Sequence, residues 1–261
     1  MFTTNPFAGL SSSVSPAIMQ AYVVVMFILV VGGTLLDTIH KKSARYFFEN
    51  KRKVRQRGRP LGSGEMIGIA VQTLAVDVAT SGEFCNQRRR VAHLLGMYGF
   101  ILYVLTSAIM VFFYPTPASP GPALLAFLWY LGALMVCAGG YWFWFAIRVD
   151  VMAEGNPVLR LVRADMFICL LLASATLGLI WAWLQTAGAG AATTIVLGLY
   201  LLATTALFVT VPWSKFSHMF YKPAAAFEKR VEKANGTRRN LPAPANMPEK
   251  FGSGRRAPQN Y

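Results

Sequence analysis

Acid is scarce throughout this 261-residue chain, which has 11 Asp and Glu against 25 Lys and Arg. Histidine and cysteine are sparser still, at three each. Cys85, Cys137 and Cys169 are far apart and form no Cys-x-x-Cys pair, which excludes an iron–sulfur cluster held by a motif of this chain. Cys137 and Cys169 lie in apolar runs and read as small apolar fillers, whereas Cys85 lies in a basic stretch and reads as a reduced thiol. No basic residue occurs before Lys41, so the start of a cleavable signal peptide is missing, and the first apolar run is expected to stay as a span.

What the chain does have is five long runs without charge: Ile18–Leu36, Leu94–Tyr114, Leu124–Ile147, Met166–Leu184 and Thr193–Val211. Each has about the 17–25 residues that a helix needs to cross ~30 Å of hydrocarbon. A mean hydropathy of +0.44 fits a membrane protein. The basic residues fall only in Lys41–Arg90, Arg148–Arg163 and Lys215–Arg256. Such residues stay on the cytoplasmic side of short connections. The expected fold is therefore all-α: an integral membrane five-helix bundle, N-terminus outside and C-terminus cytoplasmic, in a bacterial cytoplasmic (inner) membrane. The net charge of +14 belongs to the cytoplasmic arms and reads as topology and lipid attraction rather than nucleic-acid binding.

The domains follow from that pattern. Residues 1–17 read as an outer tail, and residues 18–217 as the membrane domain with a basic cytoplasmic loop at 37–93. Residues 218–261 read as a cytoplasmic basic tail, mostly disordered because its end is rich in Pro, Gly and Asn. Glu65–Ala79 is apolar but too short to span, and reads as one interfacial or re-entrant helix within the first cytoplasmic loop. Five of the six Trp lie towards span ends and the sixth just past one, as an aromatic belt would have them.

The histidines sit beside inner span ends: His40 past the first, His93 entering the second and His218 after the fifth. Neutral imidazole is a common axial ligand of b-type haem, and two such ligands come naturally from two helices. His93 with His218 is the favoured pair, with His40 as the alternative member; spacing does not choose between them. Asp37, His40, Asp77 and Lys215 are candidates near the inner interface for contact with quinone.

The arginine cluster and His in Phe84-Cys85-Asn86-Gln87-Arg88-Arg89-Arg90-Val91-Ala92-His93, and the Pro212-x-x-Lys215-x-x-His218 stretch, resemble membrane subunits of the nitrate reductase gamma type. The chain more closely resembles the membrane subunit associated with adenylylsulfate reductase, a relative of quinone-interacting oxidoreductase membrane subunits. The resemblance implies one haem b at His93 and His218. A deeper pair of haem ligands in that family would fall on Tyr103 and Tyr200 here, so a second bis-histidine haem is excluded by inventory. The implied function is an electron-transferring anchor, non-catalytic or quinone-reacting, linking a cytoplasmic iron–sulfur/flavin enzyme to quinone. Two other readings stand beside it: a haem-free anchor or assembly protein, and a transporter. The transporter is opposed by the lack of ionisable residues inside the spans.

Overall fold

The computed structural model describes residues 2–40, 42–82, 84, 86–148, 154–216, 218–237, 250–251 and 255–256. Among the described residues there are eight α-helices, in order α1 (Pro16–His40), α2 (Lys42–Arg57), α3 (Ser63–Gln72), α4 (Gln87–Phe113), α5 (Ala123–Trp142), α6 (Met166–Thr186), α7 (Ala191–Val209) and α8 (His218–Ala234). Among the described residues, the one β pairing is a two-residue antiparallel ladder of Lys250–Phe251 with Arg255–Arg256. Helices α1, α4, α6 and α7, and α5 with its π-helical extension Phe143–Ile147, are long and apolar enough to cross a membrane.

The chain forms two units, Met1–Asp37 with Val91–Ser217, and Thr38–Arg90 with His218–Tyr261. The expected runs differ from the helices mainly at the second span. Here α4 starts at Gln87, so Arg88–Arg90 lie in its first turn and His93 in its second. The reason is a cap: the Asn86 side-chain oxygen accepts the backbone N–H of Arg88 at 3.0 Å and of Arg89 at 3.3 Å. Cys85 lies outside the described residues.

In the first unit, α4 and α5 meet along a glycine seam. A Cβ on Gly132 would stand 2.7 Å from the Tyr103 backbone nitrogen, and one on Gly139 2.6 Å from the Ala92 carbonyl. Only hydrogen fits at such an approach, the device by which apolar helices pack where water exerts no drive. Trp129 and Trp181 are fully buried beyond this seam. The residues before α1, read from sequence as a tail, are folded onto them. Phe7 lies edge-on to Trp129 at 5.8 Å and 5.4 Å from Trp181, followed by a 3-10 turn over Ala8–Ser12. The Asn5 amide donates to the Tyr114 carbonyl at 2.9 Å and its oxygen accepts the Phe7 N–H, so this polar residue is buried with its partners.

The α5–α6 connection is closed by a buried charge pair. The Arg148 guanidinium donates to Asp165 at 3.0 Å and to the Arg160 carbonyl at 2.7 Å, and lies 4.1 Å from the Trp144 ring centre. Asp165 also accepts the Val162 N–H at 3.2 Å. Arg148 therefore does more than mark a span end.

In the second unit, α8 packs against α3 and the π-helical segment Thr73–Ala79 that continues it. Val54 of α2 and Val231 of α8 are buried. The side-chain amide of Asn235, just past α8, donates to the Val54 carbonyl, and the Asn235 backbone carbonyl accepts the Arg59 N–H at 3.1 Å.

Candidate functional site

The second unit gathers the charge. It contains 21 of the 25 basic residues and seven of the 11 acidic ones, which leaves the first unit neutral in formal count and puts the whole +14 on the second. Its acids are largely committed. Arg230 of α8 forks onto Asp77, Nε to Oδ2 at 2.6 Å and Nη2 to Oδ1 at 2.9 Å. Those hydrogen bonds hold the Asp77 carboxyl below its usual value, against the opposing effect of partial burial. Arg59 forks onto Glu65 at 2.6 and 3.1 Å, while Glu65 also accepts the Gly62 N–H at the start of α3. The Glu65 carboxyl is lowered, chiefly by the Arg59 hydrogen bonds, and Arg59 is raised in turn. Glu228 is buried with Lys51 at 4.0 Å.

A basic surface is left over. Arg52, Lys53, Arg55 and Arg57 are exposed on α2. On α8, Lys222, Lys229 and Lys233 are exposed at spacings of seven and four, which puts them on one stripe of the helix. Lys222 lies 5.5 Å from the Phe84 ring centre.

The histidines are distributed between the units. His93 is half-buried on α4 in the first unit, and His218, also half-buried, opens α8 in the second. His40 ends α1 and is exposed. Among the described residues no group of three His, Cys, Asp or Glu is arranged to hold a metal ion. Of the residues considered for quinone contact, Asp37 is buried, Asp77 is held by Arg230 and Lys215 is exposed.

Tyr103 and Tyr200, at the positions of a deeper haem pair in the resembled family, instead bond to each other, hydroxyl to hydroxyl at 3.0 Å. Trp181 stacks on Tyr200 at 5.8 Å and Tyr103 lies 5.2 Å from Trp129, so no room is left for a macrocycle between them. The neighbouring hydroxyls are also engaged, Ser174 with Thr204 at 2.7 Å and Ser107 with the Trp129 indole N–H at 2.8 Å. Sequence reasoning missed these pairings and the Arg148–Asp165 and Arg230–Asp77 forks. The usable signals were Arg148 and Asp165 flanking one short connection, and Asp77 as an acid inside an apolar stretch that needed a partner.

The family described as citrate utilization protein B matches residues 66–239, from within α3 through α8. The chain belongs to the citrate utilization protein B family. Citrate utilization protein B of Escherichia coli is 28% identical over 170 residues, covering 59% of this chain and 43% of that protein. The chain thus spans less than half the length of this curated relative. No solved structure matches it. The citrate utilization protein B family replaces the resemblance to the adenylylsulfate reductase membrane subunit and its nitrate reductase relatives. The function of an electron-transferring anchor for that enzyme falls with it, and haem b and quinone lose the support that the resemblance lent them. The misleading residues have a general cause. Arginines before one span and a Lys and His after another are what charge-directed insertion places at any inner span end.

Proposed function

We propose that this chain serves citrate utilization as a membrane platform. Its five long helices lie in the bacterial cytoplasmic membrane, its second unit faces the cytoplasm, and a soluble partner with an acidic face docks on the lysine stripe of α8 and the basic face of α2. The observation behind this reading is the separation of charge: a neutral bundle joined to a unit that carries the entire +14. Complementary charge of this kind speeds encounter and fixes orientation.

A citrate permease is the less favoured role for the same fold. A tricarboxylate needs cationic or free hydrogen-bonding groups inside the membrane, and intramembrane ionisable residues mark such pathways. The first unit's four basic residues, Arg148, Arg160, Arg163 and Lys215, all lie outside the helices that reach across it. Arg148 is committed to Asp165, and the hydroxyls of Tyr103, Tyr200, Ser174 and Thr204 bond to one another.

A strain lacking the gene and grown on citrate tests both halves. The wild-type chain should restore growth, and Lys229→Glu/Lys233→Glu should not, although the variant reaches the membrane in equal amount. Proteoliposomes holding the purified chain should take up no labelled citrate. Uptake would replace the platform with a permease, and normal growth of the charge-reversed variant would remove the docking face. Reporter fusions at Pro117 and Gly188 should lie outside the cell, and fusions at Gly62 and Asn246 inside.

A further inference from the structure

Among the described residues, α3 and its π-helical continuation Thr73–Ala79 leave one face uncovered. Ile67, Val71 and Leu74, at spacings of four and three, are 65%, 60% and 60% exposed. Gly64 and Gly68 beside them have open space where a side chain would stand. The opposite face is occupied: Thr73 is buried and Asp77 is forked to Arg230 of α8. Three large apolar side chains on one stripe of a helix too short to span are what an interfacial helix presents.

Two observations identify the occupant. The first is position. The Arg90 Nε, in the first turn of α4, donates to the Thr80 carbonyl at 2.7 Å, immediately after the π-helical end of α3. The segment is thereby pinned to the start of a helix long enough to span, at the level where its arginine cluster lies. At its other end, Arg59 forks onto Glu65. The second observation is charge. The unit carries a surplus of 14 positive charges, and basic residues bracket the segment at Arg55 and Arg57 before it and Arg88–Arg90 after it. Basic groups around an apolar stripe suit an anionic phospholipid surface, with headgroups meeting the cations and acyl chains the stripe. An acidic protein would match the charge but leave the three apolar side chains of the stripe without apolar cover.

We propose that the Ile67/Val71/Leu74 face of α3 and its π-helical continuation is a lipid-binding surface, lying at the headgroup–acyl boundary of the adjoining leaflet and held there by anionic phospholipid. The proposal rests on the reading of the long helices as membrane spans and is independent of any docked partner.

The test uses the full chain in nanodiscs of phosphatidylcholine alone or mixed with phosphatidylglycerol. Spin labels are placed singly at Ile67→Cys, Val71→Cys, Gln56→Cys and Leu202→Cys after Cys85, Cys137 and Cys169 are changed to Ser. With phosphatidylglycerol, labels at 67 and 71 should collide more with oxygen than with a water-soluble nickel chelate, and the label at 56, on α2, should do the reverse. The oxygen excess at 67 and 71 should shrink in phosphatidylcholine alone. Nickel-dominated collisions there, or exclusion of both reagents by a covering protein, would overturn the proposal, as would equal depth in both lipids. Leu202, 65% exposed on α7, reports the spans themselves. If it too is nickel-accessible, the membrane reading has failed rather than the lipid surface. The unmodified chain gives a second measurement: amide exchange across residues 67–74 should be several-fold slower with phosphatidylglycerol, and an unchanged rate counts against the proposal.

Discussion

Arg148 and Asp165 hold the α5–α6 connection from within, and a charge removed from such a pair leaves its partner buried and uncompensated. Arg148→Leu should therefore cost about 3–5 kcal/mol, read as a fall in thermal stability in detergent. Adding Asp165→Asn should recover part of that loss, because the stranded carboxylate is gone; a double variant no better than the single would contradict this. Asp77 predicts a pH dependence. Its carboxyl sits below the ordinary value because Arg230 donates to it, so its stabilising contribution is complete above the unfolded value of ~3.9 and disappears as pH falls through the lower folded one. Protease protection of the second unit should weaken across that acid range in the wild type, and Asp77→Asn should be weaker at neutral pH with a flatter acid limb. The histidine inventory sets a ceiling as well. Three imidazoles allow at most one bis-histidine haem per chain.

Among elements, the α4–α5 seam has the narrowest tolerance. Gly132→Ala would press a methyl against backbone atoms of Tyr103 and Gly99 at 2.7 and 2.9 Å, and backbone cannot step aside as a side chain can. A loss of about 1–3 kcal/mol is expected. Gly96→Ala, on α4 with nothing within 4 Å of the added Cβ, should be neutral or stabilising by up to ~1 kcal/mol. Thermal denaturation of the two variants side by side checks the contrast. The five long helices and the short α3 were legible in the sequence because an uncharged run of sufficient length has few other uses. The seam was not, since Gly99, Gly132 and Gly139 look like any glycines until the facing helix is known. The fold of the N-terminal segment was hidden for a different reason: a Ser/Thr/Pro-rich stretch without charge reads as loop, and only the aromatic cleft around Trp129 and Trp181 gives Phe7 somewhere to go. The candidate site was legible as charge and not as pairing. Local composition displays the basic surplus, but the Arg230–Asp77 fork joins residues 153 positions apart.

At the scale of the whole molecule, the family assignment came from matching extended sequence, which the short motifs around His93 and His218 were too generic to supply. The charge separation, by contrast, was almost fully written in the sequence and gained only its boundary from the fold. It has a practical corollary for anyone handling the purified protein. A cation exchanger or a freshly cleaved mica sheet attracts positive charge, and the formal surplus of this chain belongs to a single unit. Adsorbed molecules should therefore land the same way round, basic unit down, giving an oriented monolayer without tag or linker. Rising salt should release them together, as a single sharp step.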